Sequence, residues 1–143
     1  MKAVIMAGGF GTRLRPLTSG IPKPMVPMVN KPMMEHIVDL LKTHSIVDIV
    51  STLFYQPDAI TGYFGDGSAF GIKMQYRKAE ADYGTAGSVR NAKDFLNERF
   101  LLINTWGRMK KEIILNRFMK LVKVLDLKNA GSCVFPLIND NDK

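Results

Sequence analysis

The stretch Ala3-Val4-Ile5-Met6-Ala7-Gly8-Gly9-Phe10-Gly11-Thr12-Arg13-Leu14 decides the fold. It opens as a short apolar run rich in β-branched residues and breaks at once into glycines. A continuous apolar run of this length predicts a strand buried on both faces, as in a parallel sheet. Glycines without a Cβ let the backbone after it turn sharply and come close to a ligand. Successive N–H groups in such a turn can point inward as a nest for an anion. Arg13 adds a permanent charge and a fork of donors matched to phosphate oxygens. Taken alone, Gly9-x-Gly11 fits a plain strand-to-turn connection equally well. It has neither the third glycine of a dinucleotide fingerprint nor the Gly-Lys-Ser/Thr of a Walker loop.

Working outward, residues 14–31 contain Pro16, Pro22, Pro24 and Pro27, which rule out a long helix. An irregular excursion is predicted there, with a short extended piece over 25–29. Asn30-Lys31-Pro32 reads as a helix start, and Met33, Ile37, Leu40 and Leu41 recur at helical spacing to about His44. Strands are predicted over 47–53, 72–76 and 100–103. A helix is predicted from Gln56-Pro57-Asp58 to Phe64, and another over 84–97 with an apolar face through Ala86, Val89, Ala92 and Phe95. Strand and helix alternate, so the expected fold is α/β, an open, mainly parallel Rossmann-like sheet with flanking helices. Ligands of such sheets bind beyond the carboxyl ends of the strands, where both 8–13 and 84–88 would lie. Further on, 110–127 reads as a basic amphipathic helix, 132–138 as a strand and 139–143 as a polar tail. The expected organisation is one domain over 1–138 followed by that tail.

Composition excludes several classes. The 143 residues are 46% hydrophobic, that of an ordinary globular chain. No apolar run approaches the roughly 18–20 residues of a membrane span, and the first residues lack the h-region of a signal peptide. Cys133, the single cysteine, reads as a core residue, which points to a reducing compartment, the cytoplasm. The net charge of +7 is spread out and could help attract a phosphorylated small molecule. Basic residues do not interleave with aromatics, which argues against a nucleic-acid surface. His36 and His44 read as structural or surface residues, the methionines as packing and Asp66 as a turn residue. Nothing in the chain defines an oligomeric state.

Two further features give the glycine loop a context. In Ile21-Pro22-Lys23-Pro24, prolines stiffen the backbone around one lysine. In Tyr83-Gly84-Thr85-Ala86-Gly87, small residues open a helix whose N-terminus favours negative charge. With Pro16-Leu17-Thr18 and Asn30-Lys31-Pro32-Met33, these occur in the order and spacing of the sugar-1-phosphate nucleotidyltransferases. Over residues 1–103 the chain resembles that family, and its Gly-Thr-Ala-Gly is most similar to the mannose-1-phosphate guanylyltransferase branch.

The resemblance implies transfer of a nucleoside monophosphate from a nucleoside triphosphate, GTP for that branch, to a sugar 1-phosphate, mannose 1-phosphate for that branch. It implies that the backbone of Ala7, Gly8 and Gly9 holds the nucleotide and that Gly11, Thr12 and Arg13 grip the triphosphate. Lys23 would neutralise charge at the reacting centre, and Gly84, Thr85 and Ala86 would line base and ribose. Arg13 and Lys23 are the implied catalytic residues. The family also uses Mg2+, bound by the aspartate of a Gly-Asp after its fourth strand. Here that strand is followed by Asn104-Thr105-Trp106-Gly107-Arg108, with Trp106 about where the aspartate belongs and no acid before Glu112. No metal ligand is assigned, and an incomplete or rearranged nucleotidyltransferase domain is expected. The alternative to a transferase is an inactive homologue that at most binds nucleotide.

Overall fold

The computed structural model describes residues 1–105. Trp106, Glu112, Cys133, the helix over 110–127, the strand over 132–138 and the tail over 139–143 lie outside the described residues. The apolar run forms β1 (Lys2–Met6), with Ala3, Val4 and Ile5 completely buried. A short hairpin, β2 (Pro27–Met28) and β3 (Lys31–Pro32), follows the excursion. Then come α1 (Met33–Thr43), β4 (Asp48–Leu53), α2 (Pro57–Phe64), β5 (Lys73–Lys78), α3 (Gly84–Asn91) and β6 (Phe100–Asn104).

β1, β4, β5 and β6 form one parallel sheet in the order β5-β4-β1-β6. The chain steps from β1 to β4 to β5 in one direction, then returns to place β6 on the other side of β1. The strand order therefore reverses between β1 and β6, and open α/β sheets bind ligands at such a reversal. The expected α/β parallel sheet with flanking helices is present. α1 contributes Met34, Ile37, Val38 and Leu41 to the core, and α2 contributes Ile60 and Phe64. Glu35 is also buried on α1, where its carboxylate accepts from the Tyr63 hydroxyl at 2.6 Å and pairs with Lys31 Nζ at 3.2 Å. Burying a carboxylate is costly unless it is hydrogen-bonded and paired in this way.

Three expectations need correction. The excursion is more ordered than its prolines suggest. Two 3-10 turns, Thr12–Leu14 and Lys23–Met25, replace part of the irregular and extended chain. Asn30 opens no helix; it sits with Val29 in the two-residue turn of the hairpin, and α1 starts at Met33 with Pro32 in the N-cap position. α3 ends at Asn91, not 97, and a separate 3-10 turn covers Lys93–Phe95. Arg77 Nε donates to the Asn91 carbonyl at 2.7 Å, satisfying a C-terminal acceptor where the helix stops. No residue of α3 is buried, because Gly-Thr-Ala-Gly-Ser offers little apolar surface; of the expected apolar face only Ala92, just past the helix, is buried. β6 is only partly covered, with Ile103 its one buried residue.

The hairpin turn carries strain. Val29 and Asn30 have φ of 49° and 65°. A two-residue hairpin with both central φ values positive suits Asn and Gly, whereas a β-branched residue there is an outlier. Val29 is 89% exposed, so no packing offsets the strain. Val29→Asn is expected to raise stability by about 1 kcal/mol in urea unfolding. No change or a loss would show that this backbone is not strained.

Candidate functional site

The glycine loop leaves the sheet in steps set by its neighbours. Ala7 N–H continues the ladder to the Thr52 carbonyl at 2.9 Å, and the Gly8 carbonyl accepts from Tyr55 N–H at 3.3 Å. A Cβ on Gly8 would lie 3.1 Å from Phe54 Cβ and 3.2 Å from Phe54 N, so the close approach of the two segments depends on its absence. Phe10 then turns outward over Phe54 and Tyr55, with ring centroids 5.5 Å and 5.3 Å away.

Gly11 is the junction of the loop. Its φ of +65° is left-handed, and its carbonyl accepts from Leu14 N–H at 2.9 Å and from the Thr18 hydroxyl at 2.8 Å. A Cβ there would meet Lys23 Cβ and Thr18 Cγ2, each at 3.1 Å. The base of Lys23 is thus packed directly on the loop. Pro22 and Pro24, both buried, hold the backbone on either side of it. The Lys23 ammonium is half-buried, and its pKa is lowered, first by desolvation and then by the positive charge of Arg13. Two cations brought together at a glycine turn are disfavoured by themselves and favoured by an anion. Thr18, which the sequence presents only within a motif, proves to be the buried brace of this junction.

The structure therefore brings Gly11, Arg13 and Lys23 together, with Thr12 in the same turn and Ala7, Gly8 and Gly9 leading into it. Gly84, Thr85 and Ala86 form the exposed first turn of α3, beyond the carboxyl end of β5 and at the same edge of the sheet. All three are exposed, and a Cβ on Gly84 would meet nothing within 4 Å. The φ of Gly84 is +64°, and its N–H donates to Asp82 Oδ1 at 3.0 Å.

At the reversal of strand order, Asn104 lies opposite Met6. Thr105 follows it, and its hydroxyl donates to the Met6 carbonyl at 2.9 Å. Mg2+ favours oxygen ligands that include carboxylates. The described donors at this point are a neutral amide and a hydroxyl already engaged with a carbonyl, and among the described residues no three His, Cys, Asp or Glu gather as a metal site. Asp66 is a turn residue as expected: it accepts from Ser68 N–H at 2.9 Å and Ser68 Oγ at 2.6 Å, and these bonds lower its pKa. His36 Nε2 lies 2.8 Å from the Met28 carbonyl, tying α1 to the hairpin. No helix among the described residues is long and apolar enough to cross a membrane.

A family model described as nucleotidyl transferase matches residues 2–142. The chain belongs to the nucleotidyl transferase family. It is 39% identical over 110 residues to mannose-1-phosphate guanylyltransferase 1 of Arabidopsis thaliana, a match covering 73% of this chain and 30% of that protein. It is also 45% identical over 76 residues to a UTP–glucose-1-phosphate uridylyltransferase of Synechocystis, covering 53% of this chain and 20% of that protein. The crystal structure of HddC from Yersinia pseudotuberculosis complexed with GMP-PN is similar with a TM-score of 0.65 at 27% identity, covering 81% of this chain and 53% of that one. The chain thus spans less than a third of these curated relatives and about half of the HddC chain. Its relatives' names divide between guanylyl and uridylyl transfer, so family membership alone assigns neither base nor sugar.

Proposed function

We propose that this chain carries the nucleotide-binding part of a sugar-1-phosphate nucleotidyltransferase, acting on a nucleoside triphosphate and a sugar 1-phosphate. The observation that carries this reading is the packing of Lys23 on Gly11 with the Arg13 charge beside it. An oxygen of the sugar phosphate attacks the α-phosphorus, the bond from that phosphorus to the bridging oxygen breaks, and pyrophosphate leaves. Arg13 and Lys23 neutralise the charge on the triphosphate and the departing pyrophosphate, work that in phosphoryl-type transfer is mostly positioning and electrostatics. The backbone of Ala7, Gly8, Gly9, Gly11 and Thr12 cradles the phosphates. Gly84, Thr85 and Ala86 leave an open, flat approach for base and ribose. GTP and mannose 1-phosphate are the finer assignment, supported by the Gly-Thr-Ala-Gly sequence and by the guanylyltransferase relatives.

A second reading, a homologue that binds nucleotide without turning it over, is favoured by the neutral Asn104-Thr105 pair at the end of β6. Titration of the protein with GTP, UTP and dTTP, followed by addition of mannose 1-phosphate or glucose 1-phosphate with Mg2+, separates the two. The first reading expects GTP to bind and GDP-mannose and pyrophosphate to appear in equal amounts. Binding without product supports the second. A folded protein that binds none of the three nucleotides would end both.

A further inference from the structure

Phe10 is the unassigned residue of the loop, and its surroundings point to a definite task. It is a large aromatic, 46% exposed, at the tip of a segment otherwise made of glycines and short polar residues. Its ring meets Phe54 edge-on, at 86° between planes, and Tyr55 at a tilt of 49°. Both partners follow β4 directly, in the same segment whose Tyr55 N–H donates to the Gly8 carbonyl and whose Phe54 backbone lies against Gly8. Loop and segment thus touch at two successive points, one through the backbone at Gly8 and one through rings at Phe10. On its far side the loop is held by Thr18 and Lys23 at Gly11. Between these anchors lies only Gly9, the residue with the fewest constraints on its backbone. Without the ring contact, the N–H groups of Gly9 and Phe10 would be free to turn away from a common direction.

We propose that Phe10 is a positioning residue, an aromatic clasp that pins the phosphate loop to the Phe54-Tyr55 segment and so holds its N–H groups aimed at a nucleoside triphosphate. This rests on the nucleotide-binding reading of the loop. The clasp acts before any ligand arrives, so it can be tested with and without one. Trypsin can cut after Arg13 in the loop's 3-10 turn, and its cutting after Lys42 in α1 serves as a reference for the rest of the fold. In Phe10→Ala, cleavage after Arg13 is expected to quicken about tenfold, as loss of aromatic pairs of this kind implies. Cleavage after Lys42 should stay unchanged, GTP affinity should fall about tenfold, and Phe10→Tyr should restore both. Unchanged cleavage after Arg13 would overturn the clasp. Faster cleavage at both sites would also overturn it, by making the effect global. Faster cleavage after Arg13 with undiminished GTP affinity would overturn the positioning role. If the unaltered protein binds no nucleoside triphosphate, the nucleotide reading fails, and the cleavage comparison still decides whether Phe10 pins the loop.

Discussion

Gly11→Ala is expected to destabilise the protein by about 3 kcal/mol and to weaken nucleotide binding at least a hundredfold. Two independent effects add at this position. A left-handed φ of +65° costs an L-residue about 1–2 kcal/mol that glycine does not incur. The new methyl would also lie 3.1 Å from both Lys23 Cβ and Thr18 Cγ2 and 3.3 Å from Thr18 Cβ. These are the inflexible stems of their side chains, and Thr18 is 2% exposed, so neither can yield without shifting backbone. Overpacking of this sort costs about 1–3 kcal/mol. The shift it forces would part Lys23 from the loop, which is why binding should suffer beyond stability. Gly20→Ala is the control: a Cβ there meets nothing within 4 Å, and stability should change by under about 0.5 kcal/mol. Urea unfolding of the two variants makes the comparison. Equal stability of Gly11→Ala and the unaltered protein would remove the junction from the account.

The second large effect concerns Lys23. Lys23→Met should leave the ligand-free protein as stable or more stable, because it removes a half-buried charge facing Arg13. The same change should reduce triphosphate affinity about a hundredfold, the scale of a charge-assisted contact to phosphate. The pH dependence follows from the lowered pKa. The folded state releases the Lys23 proton before the unfolded state does, so between the lowered pKa and 10.5 the unfolded chain binds more protons and this group's contribution to stability rises with pH. Lys31 and Tyr76 act in the opposite sense. Hydrogen bonds to Asp39 and Glu35 raise the Lys31 pKa, and burial pushes Tyr76 up to about 12. The Lys23 contribution is therefore read as the difference between the unaltered protein and Lys23→Met across that range. Triphosphate affinity should fall as pH rises towards 10.5, and Lys23→Arg, whose charge persists, should flatten that fall. An unaltered affinity in Lys23→Met would exclude Lys23 from phosphate binding.

Much of the fold was legible because its signals are local. The run at β1, the glycines after it and the helical spacing from Met33 to Leu41 each report one element without help from distant residues. The parallel sheet followed from the alternation of strand and helix, whereas the strand order β5-β4-β1-β6 did not. The hairpin was not legible, since Val29 is a poor residue for a left-handed turn and only the pairing of Met28 with Lys31 forces it there. The end of α3 was not legible either, because Arg77, which meets Asn91, lies on β5. The site divides in the same way. Arg13, Lys23 and the glycines could be chosen by residue type and spacing. The brace at Thr18 and the rings at Phe54 and Tyr55 become visible only when the excursion and the end of β4 are folded against the loop.

The sheet order has a bearing on how the protein is made. β1 is synthesised first yet stands in the middle, with β4 on one side and β6 on the other. The three earlier strands can pair while the chain is still emerging. The bond from Thr105 to Met6, however, joins residues 99 positions apart. That side of β1 therefore waits for nearly the whole described chain. Such long-range closure is slow compared with helix formation. Until it happens, the flank of β1 offers an unpaired parallel edge, the kind of surface on which nascent chains associate wrongly. The strand that leads into the glycine loop is thus paired with β4 before β6 closes its other side.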